Sequence, residues 1–186
     1  MTTFEAIILV MVVIVGVSVV WSTLRLGISP MPSSASARRA MLELVEGEHP
    51  TLIYELGSGW GGLAIDLARR YPEIQVVGYE QSFFPWLYAT LIKRLARLEN
   101  LQYRRSNLFE ADLIEASHLF CYLYPQGMER LAGILSQHRA QETKLISNTF
   151  RLPGFDPLQT IELSDVYGTR VYAYELGTQA VRPQTT

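Results

Sequence analysis

Two groups of residues have the types and spacing to do chemistry. The first lies between Leu52 and Gly62, where the chain reads LIYELGSGWGG. Apolar residues run into a turn with glycines at 57, 59 and 61, and a helix is expected from Gly62. Glycine lets a backbone bend sharply and pass close to a ligand, where a Cβ would intrude. A helix starting at such a turn aims unpaired N–H groups and its positive dipole end into the same space. Gly57, Ser58, Gly59 and Gly61 therefore read as a cradle for a nucleotide cofactor. The motif alone does not choose which one. Gly57, Gly59 and Gly62 satisfy the dinucleotide fingerprint G-x-G-x-x-G, with Glu80 placed at the end of the next strand for ribose hydroxyls. Glu55, Gly57, Gly59 and Gly61 equally satisfy E-x-G-x-G-x-G. The second group is aromatic and amide-bearing: Tyr122-Leu-Tyr124-Pro125 and Asn148-Thr-Phe150. Each closes an apolar run, so each is expected at a strand end.

These residues need a scaffold to bring them together. The pattern predicts strands over Thr51–Glu55, Gln75–Tyr79, Leu101–Arg104, His118–Tyr124 and Lys144–Thr149. Helices are expected over Gly62–Arg70, Phe84–Leu98 (stopped near Asn100) and Met128–His138, with a helical turn near Ala111–Ala116. Alternating strand and helix implies a parallel sheet with right-handed crossovers, and ligands bind such sheets at the strands' C-terminal ends. After Arg151–Pro157 the alternation breaks, and Leu158–Leu163 and Thr169–Leu176 read as an antiparallel hairpin. The expected class is α/β, a mostly parallel Rossmann-like sheet closed by this hairpin.

Before that domain the chain is different. Ala6 to Leu24 carries no charge. At about 1.5 Å per residue it reaches roughly 28 Å as a helix, close to a bilayer's hydrocarbon thickness. Trp21 fits an interfacial anchor. The first five residues lack the basic start of a signal peptide. Residues 4–26 are therefore expected to be a transmembrane anchor, single-pass, with the bilayer as a partner. Arg25, Arg38 and Arg39 follow the span while Glu5 precedes it, which puts the following domain on the cytoplasmic side. Residues 27–36 are a Pro-, Ser- and Gly-rich linker. Ser36 is expected to cap a helix from Ala37 to Glu48 that can roof the pocket. The domain is expected over 37–178 and a flexible tail over 179–186.

Composition narrows the classes. The 186 residues carry a net charge of −2, so bulk electrostatics gives no reason to expect a nucleic-acid partner. Cys121 is the single cysteine, which suits a reduced setting. His49, His118 and His138 are scattered without metal-ligand spacing, so no metal is expected and surface or cap positions are the natural reading.

Three features separate the cofactors. Glu55 lies two residues before the first glycine, the chain has no room for the second domain most dehydrogenases need, and the late hairpin follows the parallel strands. This pattern resembles class I S-adenosylmethionine-dependent methyltransferases. YELGSGWGG (Tyr54–Gly62), VVGYE (Val76–Glu80), CYLYPQGME (Cys121–Glu129) and ISNTFRLPGF (Ile146–Phe155), following an apolar span, are together similar to the small membrane-anchored protein-lysine methyltransferases of mitochondrial type. The chain departs from them at Trp60 and Gly62, where D-G-R is usual, and at Glu55, where Asp is usual.

The resemblance implies S-adenosyl-L-methionine as cofactor. Glu80 would bind the ribose hydroxyls, Glu55 would orient the methionine amino group, and Gln81 and Asn107 would face the adenine. Tyr124, Pro125, Asn148 and Phe150 would stand about the methyl group. The implied substrate is a lysine of a protein at or in the membrane. Two rivals carry the same fold: a small-molecule or lipid acceptor, and a cofactor-binding membrane module without catalysis.

Overall fold

The computed structural model describes residues 2–26, 32–137 and 143–177. Helix α1 (Thr3–Leu26) precedes α2 (Ala35–Glu43). Then come β1 (Leu52–Leu56), α3 (Gly62–Arg70), β2 (Gln75–Tyr79), α4 (Phe83–Leu95) and β3 (Leu101–Arg104). β4 (His118–Cys121), α5 (Pro125–Gln137), β5 (Lys144–Asn148), β6 (Gln159–Glu162) and β7 (Arg170–Glu175) complete the chain.

The strands form one sheet in the order β3-β2-β1-β4-β5-β7-β6. β1 pairs in parallel with both β2 and β4, while β7 runs antiparallel to β5 and β6. Along each strand alternate side chains go to opposite faces. Ile53, Val76, Phe120 and Ile146 meet α2 and α3 on one face. Tyr54, Val77, Leu119 and Leu145 meet Met128, Leu131 and Leu135 of α5 on the other. Strand order reverses between β1 and β4, so α3 and α5 leave toward opposite faces and a crevice opens between their starts.

The expected Rossmann-like sheet and hairpin are present, and several ends differ. α2 is capped by Ser34, whose Oγ accepts from the Ala37 amide at 3.1 Å, and not by Ser36; it ends at Glu43. α4 ends at Leu95, before Leu98, because Arg97 turns left-handed (φ 53°). Leu98 N then donates to Lys93 O and Arg97 N to Arg94 O, a Schellman closure. Asn100 does not stop α4. Its Nδ2 donates to the carbonyls of Ala68, Tyr71 and Ile74, each at 3.0 Å, and seals the end of α3. β4 ends at Cys121, and Pro125 opens α5, where its missing N–H costs nothing. The expected turn near Ala111 is two 3-10 turns, Leu108–Glu110 and Leu113–Glu115, started by the Asn107 and Asp112 side chains. His118 is buried beside Glu48 and is not a surface residue, while His138 lies outside the described residues.

The expected anchor region is helical. The side chains of residues 11, 14, 15 and 18–26 lie outside the described residues, Trp21 among them, as do residues 178–186 of the expected tail. Among the described residues, no helix is long and apolar enough to cross a membrane.

Candidate functional site

The crevice is a cavity of about 320 Å³ at the C-terminal ends of β1, β2 and β4, within the usual size of small-molecule sites. Of the cofactor residues expected from sequence, Glu55, Gly57, Ser58, Gly59, Glu80, Gln81 and Asn107 line it.

The glycine turn is shaped for that role. Gly57, Gly59 and Gly61 all have positive φ, at 77°, 52° and 83°. Gly61 is needed for packing and does not line the cavity. A Cβ there would stand 2.3 Å from Tyr103 Oη, which donates to the Gly61 carbonyl at 2.7 Å. Two backbone amides hold the Glu80 carboxylate: Gly59 N donates to Oε2 at 2.8 Å and Ser82 N to Oε1 at 2.6 Å. The turn after β1 and the acid after β2 are thus one unit.

Glu55 is buried, and its Oε2 accepts from Ala64 N in the first turn of α3 at 3.0 Å. Burial pushes its carboxyl well above the usual range. The Ala64 amide pulls the other way, Glu80 and Asp66 add to the rise, and Arg38 opposes it. Ser58 Oγ is buried without a hydrogen-bond partner among the described residues. A buried hydroxyl left this way calls for a polar ligand. Asn107 lines the cavity, but its amide is already engaged locally. Oδ1 accepts from Phe109 N at 3.2 Å, and Nδ2 donates to Glu110 at 2.9 Å.

The expected methyl-side residues form a rim just outside the lining. Tyr122 lines the cavity and stacks on Phe150 at 6.3 Å. Phe150 stacks in turn on Tyr124, which is exposed, at 6.0 Å. Pro125 takes part only as the first residue of α5. Asn148 is buried, its Nδ2 donating to Ser33 Oγ at 3.2 Å and its Oδ1 accepting from Thr149 Oγ1 at 3.2 Å. The chain between Asn148 and Phe150 is strained. Thr149 has φ 69°, and Phe150 N donates to the Asn148 carbonyl at 2.8 Å, closing a three-residue turn. A β-branched residue in this region costs on the order of 1–3 kcal/mol and is found where a site dictates the backbone.

Sequence reasoning missed Ser33, Arg38, Phe109 and Arg130, all of which line the cavity. The Arg130 guanidinium lies over the Phe109 ring at 4.2 Å. Trp60 also lines it and meets Tyr88 of α4 edge-on, with ring centroids 5.4 Å apart. Arg38 comes from α2 and stands against Gly62. A guanidinium therefore reaches Gly62, the place in the turn where the resemblance implies an arginine.

The sequence profile of the ANTKMT methyltransferase domain matches residues 55–159. The chain belongs to this family. The ANTKMT-type domain is similar to a protein-lysine N-methyltransferase of Saccharolobus islandicus (strain REY15A). The two are 25% identical over 154 residues, 79% of this chain and 92% of the relative. It also superposes on an RNA methyltransferase from Salinibacter ruber in complex with S-adenosyl-L-homocysteine. There the TM-score is 0.72 and the identity 28%, over 83% of this chain and 97% of the other. A precorrin-6y C5,15-methyltransferase from Geobacter metallireducens GS-15 shares the fold alone, with 10% identity and a TM-score of 0.59 over 77% of this chain and 90% of its own.

The ANTKMT-type chain is a methyltransferase with S-adenosylmethionine as cofactor. The site fits that group. The glycine cradle, the paired buried acids and the unsatisfied Ser58 hydroxyl are the donors and acceptors that an adenosine bearing an amino-acid end requires.

Proposed function

We propose that the chain N-methylates lysine on a protein at or in a membrane, and that α1 holds it at that membrane with the domain on the cytoplasmic side. The observation that carries the acceptor is the Tyr122–Phe150–Tyr124 stack beside buried Asn148. When bound, S-adenosylmethionine supplies a sulfonium-activated methyl group. What remains for the protein is to deliver a neutral amine in line with it, where positioning supplies most of the catalysis. Free lysine has a pKa near about 10.4. An aromatic wall strips water from the ammonium and favours its neutral form. In this reading Asn148 accepts from the amine in place of its bond from Thr149 Oγ1 and orients the lone pair, and the strained turn at Thr149 sets Asn148 and Phe150 relative to each other. The Saccharolobus relative, itself a protein-lysine N-methyltransferase, supports the same acceptor.

Two surfaces support the membrane. Ile7, Ile8, Leu9 and Val10 of α1 are all exposed, so the helix is apolar all round and not along one stripe. On α4, Tyr88, Leu91 and Leu95 are exposed, Lys93 and Arg94 lie among them and Arg97 follows the helix end, a composition suited to anionic headgroups.

The test uses membranes carrying the full chain or Glu80→Ala with methyl-labelled S-adenosylmethionine, extracted into protein, lipid and nucleic-acid fractions. The expected result is label on lysine of a membrane-associated protein. Glu80→Ala should weaken cofactor binding by about 2 kcal/mol, the worth of a charge-assisted hydrogen bond. The protein itself should resist alkaline carbonate extraction. Glu80-dependent label in lipid, or in RNA as the Salinibacter protein's description would suggest, overturns the lysine reading. Cofactor binding without any label would mean a binding module.

A further inference from the structure

We propose that Arg38, carried by α2 and not by the glycine turn, binds the carboxylate of the cofactor's amino-acid end. The inference rests on reading this cavity as the S-adenosylmethionine site. The cofactor's amino-acid end is a zwitterion. Among the described residues, the acidic and basic side chains lining the cavity are Glu55, Glu80, Arg38 and Arg130. The acids suit an ammonium and ribose hydroxyls, whereas a carboxylate needs a cation or a set of N–H donors. Arg130 stacks on Phe109, which follows Asn107, on the side expected for the base. Arg38 stands over the start of α3, where a Cβ on Gly62 would touch its Nη1 at 3.5 Å. Glu55 binds Ala64 in that same first turn. A carboxylate and a guanidinium therefore share the α3 start, in electrostatic reach of each other, since Arg38 draws the Glu55 carboxyl downward against burial.

Arg38 is also prepared for the task. Nε donates to Asp66 Oδ2 at 2.7 Å and Nη1 to the Ser33 carbonyl at 2.9 Å. These bonds fix the side chain and spend two of its five N–H donors, leaving three on a group that faces the cavity. A planar guanidinium already held in place loses little freedom on taking a carboxylate. The helix adds its own field, and Gly61 offers no side chain to cap it.

Calorimetry with two ligands separates this role from a structural one. S-adenosylhomocysteine has the amino-acid end; 5′-methylthioadenosine keeps the nucleoside and thioether and lacks that end. For Arg38→Met in the full chain, S-adenosylhomocysteine affinity should fall about 30- to 100-fold, as expected for losing a charge-assisted contact, while methylthioadenosine affinity stays within about twofold of wild type. Arg38→Lys should recover part of the loss. Asp66→Asn should weaken S-adenosylhomocysteine less than Arg38→Met does, and again spare methylthioadenosine. Equal loss for both ligands, or no loss for either, overturns the assignment. If Arg38→Met does not fold, the same comparison on Arg38→Lys decides. Wild-type protein that binds neither ligand overturns the cofactor reading itself, a different failure from a wild type that binds both and a variant that does not discriminate.

Discussion

Glu55 sits at a conflict between folding and binding. Its carboxyl is buried, and burial lifts its pKa well above the ordinary 4.5 against the pull of the Ala64 amide, so the fold disfavours the carboxylate. An ammonium placed beside it favours the carboxylate. Binding should therefore release a proton, and affinity should rise with pH through the lifted pKa. Calorimetry in buffers of different ionisation enthalpy reads this directly, and Glu55→Gln should abolish the proton release and weaken S-adenosylmethionine by about tenfold or more. The same variant keeps an oxygen for Ala64 N and removes a burdened acid. A pKa raised in the fold means stability lost as pH rises above 4.5 toward the folded value, so near neutral pH the unliganded Gln variant should melt higher than wild type. At this scale the cofactor side of the site was legible. Glycines and flanking acids declare themselves by local spacing, and the turn and Glu80 proved to be bonded to each other. Arg38 and Ser33 were not legible, because nothing in their own neighbourhood marks them; they reach the cavity only when α2 folds over α3. Asn107 shows the converse. Its position follows from the pattern, but the local bonds that occupy its amide do not.

The elements themselves followed from periodicity, and α3, β2 and β3 have the expected ends. Several of the ends that differ are closed by bonds that periodicity does not encode. Arg97 stops α4 by turning left-handed, and Asn100, expected to do so, instead gathers three carbonyls around the end of α3. The glycine turn shows how unequal similar letters become once elements pack. A Cβ on Gly59 meets nothing within 4 Å, whereas one on Gly61 would strike Tyr103 Oη at 2.3 Å and Ala89 Cβ at 2.8 Å. Gly61→Ala therefore adds a clash with β3 and α4 to the cost of positive φ and should destabilise by about 3 kcal/mol or more. Gly59→Ala carries the backbone term alone, about 1 kcal/mol. Thermal melts of the full chain in detergent would rank the two. Equal losses would mean that the fit of Tyr103 under the turn does not hold α3 in place.

Across the whole molecule, the cofactor end of the sheet is balanced by a polar clamp at the opposite end. Glu48, just beyond α2, bonds His118 Nε2 at 2.7 Å and also takes Lys144 Nζ, so it ties the α2 segment to the first residues of β4 and β5. Ser117 Oγ meets His118 Nδ1 at 3.1 Å and accepts from Thr51 N at 2.9 Å, drawing the start of β1 into the same network. This clamp holds the base of the helix that carries Arg38, so its protonation bears on both stability and the roof of the site. Burial lowers the His118 pKa below 6.5, outweighing the pull of Glu48 toward the charged form. Burial pushes Glu48 upward, but its bonds to Lys144 and His118 win and its pKa falls below 4.5. Both folded-state values are depressed, so in both cases the unfolded chain binds the proton more readily and the fold loses stability on acidification. The clamp's contribution to stability should be full above pH 6.5, decline as His118 is forced to charge below that, and decline again below 4.5 as Glu48 is neutralised. Glu48→Gln should remove the lower step and, since the group is partly screened, cost about 1 kcal/mol at pH 7, or about 2–4 °C in Tm for a chain of this size. His118→Gln should flatten the upper step while leaving the lower one. Melting the full chain in detergent between pH 4 and 8 measures both, and a Tm difference between wild type and His118→Gln that does not shrink as pH falls from 7 to 5 would contradict the clamp.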